Sequence, residues 1–202
     1  MKVWKFLGSR RRLGIDGNGR LVKVGKTLTA DGEIVLCRRG IHAARDAMDA
    51  LMYAPGAVAV RGNAAGTIVQ GRNNLVCSEF MPLAIVDAAE TLRHFSRLCA
   101  LDVAHLWEPK QATVRFLKTG APSLRIKAYK DAASVAYRRV PDDSAAWAAR
   151  AARDASWDAG TATDRAAWLA ANAAGFALAE IKGKQHRRME RMLRELIRKE
   201  TT

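Results

Sequence analysis

The sequence predicts an α+β protein. Its small N-terminal sheet, mostly antiparallel and carrying one helix, is expected to pack against a C-terminal helical bundle. Three observations carry this. Residues 1–85 break into short β-branched or alternating runs separated by Gly, Asn and Asp pairs. From about residue 83 the apolar spacing becomes helical. After residue 130 alanine dominates, and alanine is the strongest helix former. The change of period sets a boundary near residue 90, giving an α+β module over 1–90 and a helical region over 91–202.

The elements follow in order. "KVWKFL" is a first strand, and a basic loop "GSRRRLGIDGNGR" follows with turn signals at Asp16-Gly17 and Asn18-Gly19. "RLVKVGKTL" and "EIVLCR" flank "TADGE" as a predicted hairpin. Ala44, Ala47, Met48 and Leu51 fall at helical spacing, and Pro55-Gly56 stops that helix. "AVAVRG", "GTIVQG" and "NLVCSEF" read as three short strands. In residues 83–107, after a few strand-like residues, Leu92, Phe95, Cys99, Val103 and Leu106 line one helix face. Further helices are expected in "QATVRFLKT", "SLRIKAYKDAASVAYRRV", "DSAAWAARAARDASWDA" and "TDRAAWLAANAAGFALAEI", with a last one ending near 199. Breaks at Gly120-Ala121-Pro122, Pro141 and Gly160 suggest successive antiparallel helices. Trp147, Trp157 and Trp168 read as anchors packed over alanines rather than as a helical repeat.

A chain of 202 residues with 49% hydrophobic and 27% charged content can bury its own core without metals or disulfides. Its formal charge of +14 comes from 34 basic and 20 acidic residues, and residues 1–101 and 102–202 carry +7 each. The excess is therefore a property of the whole chain and not of a tail. Such a charge favours polyanionic partners, nucleic acid first. Cys37, Cys77 and Cys99 are odd in number, widely spaced and flanked by apolar residues. They read as buried free thiols in a reducing cytoplasm. The N-terminus has no apolar core of a signal peptide, and no apolar run approaches the ~18 residues of a membrane span. A soluble cytoplasmic protein without membrane contact is the expectation.

The last helix carries the clearest functional pattern. Arg187, Arg191, Arg194 and Arg198 fall along one stripe, with Met189, Met192, Leu193, Leu196 and Ile197 opposite. One face can dock while the other offers guanidinium groups to phosphates. Glu190 and Glu195 are spaced to pair with Arg194 and Lys199. Lys182, Lys184 and His186 extend the basic run. Arg10, Arg11 and Arg12 form a second cluster on a glycine-containing loop, where backbone N–H groups and arginine forks suit an anion. Few aromatics interleave with these residues, so contact with the nucleic-acid backbone is favoured over base stacking.

Other chemistries lack their residues. The P-loop pattern is absent, and "GNAAGTIVQG" is not followed by the helix a dinucleotide fingerprint requires. His42, His94, His105 and His186 have no metal-ligand spacing, so no metal is expected. A GxSxG elbow is also missing.

Two resemblances add to this reading. "RGIHAARDAMDALMYAPGAVAVRGNAAG" and the later "CSEFMPLAIV" resemble the middle of an ADP-ribosyltransferase domain. That likeness covers about 45 residues and implies NAD as cofactor, with His42 in the aromatic-or-histidine position and Glu79 as the catalytic carboxylate. The family's opening NAD-holding residue has no counterpart, because Trp4-Lys5-Phe6 occupies that region. Cys37–Ala43, a C-x-x-G-x-H-A module, and the tail "HRRMERMLREL" are similar to accessory proteins of bacteriophages. This second likeness implies a phage or prophage protein, and with it a host or phage protein complex as a possible partner. Nucleic-acid binding is thus the leading expectation. An ADP-ribosyltransferase-like enzyme is the alternative, and a protein-interaction or structural factor is the third reading.

Overall fold

A computed structural model describes residues 1–14, 19–136, 144–156 and 178–201. The protein is α+β, with one antiparallel sheet and one short helix near its N-terminus and further helices from Ala89 onward. The Asp16-Gly17 turn, Asn18, Trp157, Trp168, Pro141, Gly160 and most of the segment 163–181 lie outside the described residues. Two compact units divide the chain: Met1–Ala89 with Met189–Thr202, and Glu90–Arg188.

The sheet of the first unit contains β1 (Lys2–Leu7), β2 (Leu28–Thr29), β3 (Ile41–Ala43), β4 (Val58–Gln70) and β5 (Leu75–Asp87), in the order β1-β4-β5-β2 with β3 also on β5. β1 matches its sequence expectation. The β4–β5 hairpin is longer than expected: "AVAVRG" and "GTIVQG" are one thirteen-residue strand, and "NLVCSEF" runs on through Asp87. Register shifts at Arg61/Gly62 and Ala65/Ile68 mark irregularities where the sequence suggested a turn. Gly62 has a packing reason, since a Cβ there would stand 2.5 Å from the Phe80 ring.

The hairpin expected around "TADGE" does not form. Leu28 and Thr29 pair instead with Phe80 and Glu79 of β5, while Leu21 bridges Arg12 and Val35 bridges Arg39. Residues 35–38 turn back on themselves, with Arg39 N donating to the Val35 carbonyl at 2.8 Å. The backbone groups of 28–29 find a better partner in the long central strand than in their near neighbours.

β3 pairs with β5 and, at its end, with β1. Trp4 N donates to the Ala44 carbonyl at 2.7 Å, and Ala44 N returns a bond to Trp4 at 2.9 Å. The sheet thus curls until β1 and β3 meet. Gly40 leads into β3 at φ +124, where a Cβ would also lie 2.3 Å from a Val76 methyl; only glycine suits that backbone. Helix α1 (Ala47–Leu51) follows, capped by Asp46, whose carboxylate accepts from Met48 N at 2.7 Å. Val3, Leu7, Val58, Val60, Leu75 and Phe80 form much of the core.

In the second unit, α2 (Ala89–Asp102) buries Leu92, Phe95 and Cys99, and a 3-10 turn (Ala104–Leu106) follows. Helices α3 (Gln111–Thr119), α4 (Pro122–Ala136) and α5 (Ser144–Ala155) come next. α4 presents Ala128, Ala132 and Ala136, and α5 six buried alanines, so their backbones approach closely. Asp131 of α4 accepts from Lys110 N at 2.9 Å and from the buried Thr113 hydroxyl at 2.6 Å, satisfying the start of α3. Arg150 of α5 donates to the Ala136 carbonyl at the end of α4, and its guanidinium stands over the Trp147 ring, 5.0 Å from the centroid. The last helix, α6 (Leu178–Thr201), contributes residues to both units.

Candidate functional site

On α6, Arg187, Arg191, Arg194 and Arg198 are exposed, while Met189 and Leu193 are fully buried. Met192, Leu196 and Ile197 are half-buried. The amphipathic division read from the spacing therefore exists in the folded chain. Arg194 is engaged with Glu190 at 2.7 Å, one turn back. Arg187 and Arg191 have no ion-pair partner among the described residues. Lys184 is committed elsewhere: it donates to Asp102 at 2.8 Å, beside a two-pronged contact from Arg188 to the same carboxylate at 2.9 and 3.2 Å.

Arg10, Arg11 and Arg12 are exposed on the loop after β1. The loop is held by Arg11 N donating to the Gly8 carbonyl and Val22 N donating to the Arg11 carbonyl. Arg12 also reaches the Gly19 carbonyl at 3.1 Å. Arg11 sits at φ +53, a left-handed backbone unusual for a residue with a Cβ.

His42 lies on β3 opposite Val76 and lines a cavity of about 410 Å³ in the first unit. β1 supplies Trp4, Lys5, Phe6 and Leu7 to its wall; Gly40, Ile41 and Ala43 flank His42, and Ala50, Tyr53 and Pro55 come from α1 and the turn after it. Leu13, Gly14, Cys37 and Asn74 complete the lining. Burial and the charge of Lys5 both hold the imidazole below its usual pKa, against an opposing backbone hydrogen bond to Gly40. Its buried Nε2 has no hydrogen-bond partner among the described residues. Glu79 is exposed, pairs in register with Thr29 and Ala65, and is not part of this lining. The structure does not bring His42 and Glu79 together around that cavity.

Lys5 was not among the residues the sequence singled out. It interrupts the apolar run Val3-Trp4-Phe6-Leu7, and that interruption was the available signal. Its ammonium donates to the His42 carbonyl at 2.8 Å, and burial pulls its pKa down from 10.5 to about 8. Arg61 was also missed. It faces Trp4 across the β1–β4 ladder, with its guanidinium 4.6 Å from the ring centroid.

Of the three thiols, Cys77 and Cys99 are buried and pushed to higher pKa by that burial. Cys37, expected to be buried, is exposed: the residues around it form turns rather than a strand, and its own φ is +61. Among the described residues no helix is long and apolar enough to cross a membrane, and no cluster of His, Cys, Asp or Glu could hold a metal ion. Comparison with family models, curated proteins and solved structures returns no match to this chain.

Proposed function

We propose that this protein binds nucleic acid through the phosphate backbone, with Arg187, Arg191, Arg194 and Arg198 as one contact stripe and Arg10, Arg11 and Arg12 as another. The observation that carries the reading is the exposed arginine face of α6, with Arg187 and Arg191 uncommitted among the described residues and Met189 and Leu193 buried opposite. A helix anchored in this way holds its guanidinium groups on a rigid support. The net charge of +14 adds long-range attraction for a polyanion. The likeness of the Cys37–Ala43 module and the C-terminal tail to bacteriophage proteins supports reading this chain as an accessory protein of phage type, acting in the host cytoplasm.

The test is anisotropy of labelled duplex DNA, single-stranded DNA and RNA over a salt series. Binding to duplex should weaken with a log–log slope of roughly −0.9 per phosphate contacted. A chain carrying Arg187→Glu, Arg191→Glu, Arg194→Glu and Arg198→Glu should bind at least tenfold more weakly with a shallower slope. Equal binding by wild type and variant would remove α6 from the interface. No binding at low salt would overturn the reading and leave the charged faces to an acidic protein partner.

The ADP-ribosyltransferase-like alternative needs His42 and Glu79 at one NAD-sized cleft. The 410 Å³ cavity offers the first of these residues and not the second.

A further inference from the structure

The cavity between β1 and β3 contains an unusual combination. Its wall is mostly apolar, from Trp4, Phe6, Leu7 and Ile41 among others, yet Lys5 stands in it. Among the described residues no aspartate or glutamate lines it, and the ammonium has one hydrogen bond, to a neutral carbonyl. An ammonium in an apolar wall is costly unless an anion neutralises it. Among the described residues the lining holds no carboxylate counterion. His42 is held toward its neutral form, Cys37 and Tyr53 are the other titratable side chains of the described lining, and the nearby Cys77 thiol, outside it, is pushed away from ionisation. The volume, about 410 Å³, falls in the range of small-molecule pockets, which run from about 300 to 1,000 Å³.

We propose that this cavity is a binding site for a small carboxylate with an apolar body, the carboxylate pairing with Lys5 Nζ. The apolar part replaces water against Leu7, Ile41 and Ala43, which share the Lys5 face of the sheet. The lowered pKa of free Lys5, about 8, is consistent with a site whose counterion arrives with the ligand. This site is separate from the arginine stripes, and neither reading depends on the other.

The probe is 3-phenyllactate, with 3-phenyllactamide as its uncharged match, measured by calorimetry on the full chain. The acid should bind and the amide at least tenfold more weakly. Affinity should fall as the pH rises above about 8, because free Lys5 then loses its proton. Lys5→Met should lose the preference for the acid, whereas the four-arginine variant should retain it. Since Lys5→Met could disturb the strand, the Lys5 titration is also followed by NMR in the unaltered protein. Its midpoint should rise when 3-phenyllactate is bound. Equal affinity for acid and amide, an unmoved Lys5 titration, or no binding of the acid would each overturn the proposal.

Discussion

Lys5 illustrates how much of a residue's chemistry depends on what surrounds it. As one of 34 basic residues it would be a solvated charge; in β1 its amine is drawn toward the interior and its pKa falls from 10.5 to about 8. The sign of the consequence follows. Below about pH 8 both folded and unfolded chains hold the proton, and the folded chain bears the full cost of burying the charge. Between about 8 and 10.5 the unfolded chain keeps the proton that the folded chain has released, so stability rises with pH across that interval. Lys5→Met should therefore be more stable than wild type near neutral pH, by on the order of 2 kcal/mol. The difference should shrink toward zero as the pH approaches 10.5, and denaturant melts at pH 7, 9 and 10.5 would measure it. An advantage independent of pH would mean that packing, not charge, is responsible.

At the scale of the element, glycines misled the strand assignment for a physical reason. Gly62 and Gly66 look like turn residues because turns need their conformational freedom, yet both lie inside β4. Here they serve irregularities in a long hairpin, and a glycine within an apolar alternation signals a bulge as readily as a turn. Gly62→Ala tests this. The new methyl would meet the Phe80 ring at 2.5 Å and the Met81 carbonyl at 2.9 Å, and the second obstacle is backbone. A loss of about 2 kcal/mol in chemical denaturation is expected, whereas a true surface turn would accept alanine at little cost. The helices were easier to read. α3 spans the nine residues its sequence pattern outlined, and α2 buries Leu92, Phe95 and Cys99 on one side, but it ends at Asp102, so Val103 and Leu106, expected on the same helix face, belong instead to the 3-10 turn that follows.

At the scale of the whole molecule, the last helix departs from simple sequence order. Residues through Arg188 belong with the helical unit, and those from Met189 onward belong with the sheet-containing unit. Its basic residues divide between structure and surface independently of that boundary. Arg188 and Lys184 converge on Asp102, and the Arg188 and Asp102 side chains are each only 12% exposed. Removing the carboxylate would leave a partly buried guanidinium without its counterion, so Asp102→Ala should cost about 3 kcal/mol in thermal or denaturant unfolding. Arg187, one residue earlier, is exposed, and Arg187→Glu should leave stability within about 0.5 kcal/mol while weakening the proposed nucleic-acid binding. Of two adjacent arginines, one is therefore committed to a buried ion pair and the other is exposed.

The sequence by itself determined the α+β class, the first strand, most of the described helices of the second unit and the exposed arginine face of α6. These depend on local spacing, since a helix closes its hydrogen bonds within four residues and exposes a face set by its own period. Tertiary structure decided the rest. The partner of Leu28 lies on β5, at Phe80, and Trp4 meets Ala44 forty residues away. No local pattern encodes such pairings. The Lys5 environment, the exposure of Cys37, and the separation of His42 from Glu79 at the cavity all follow from them, because solvation and charge are set by neighbours in space.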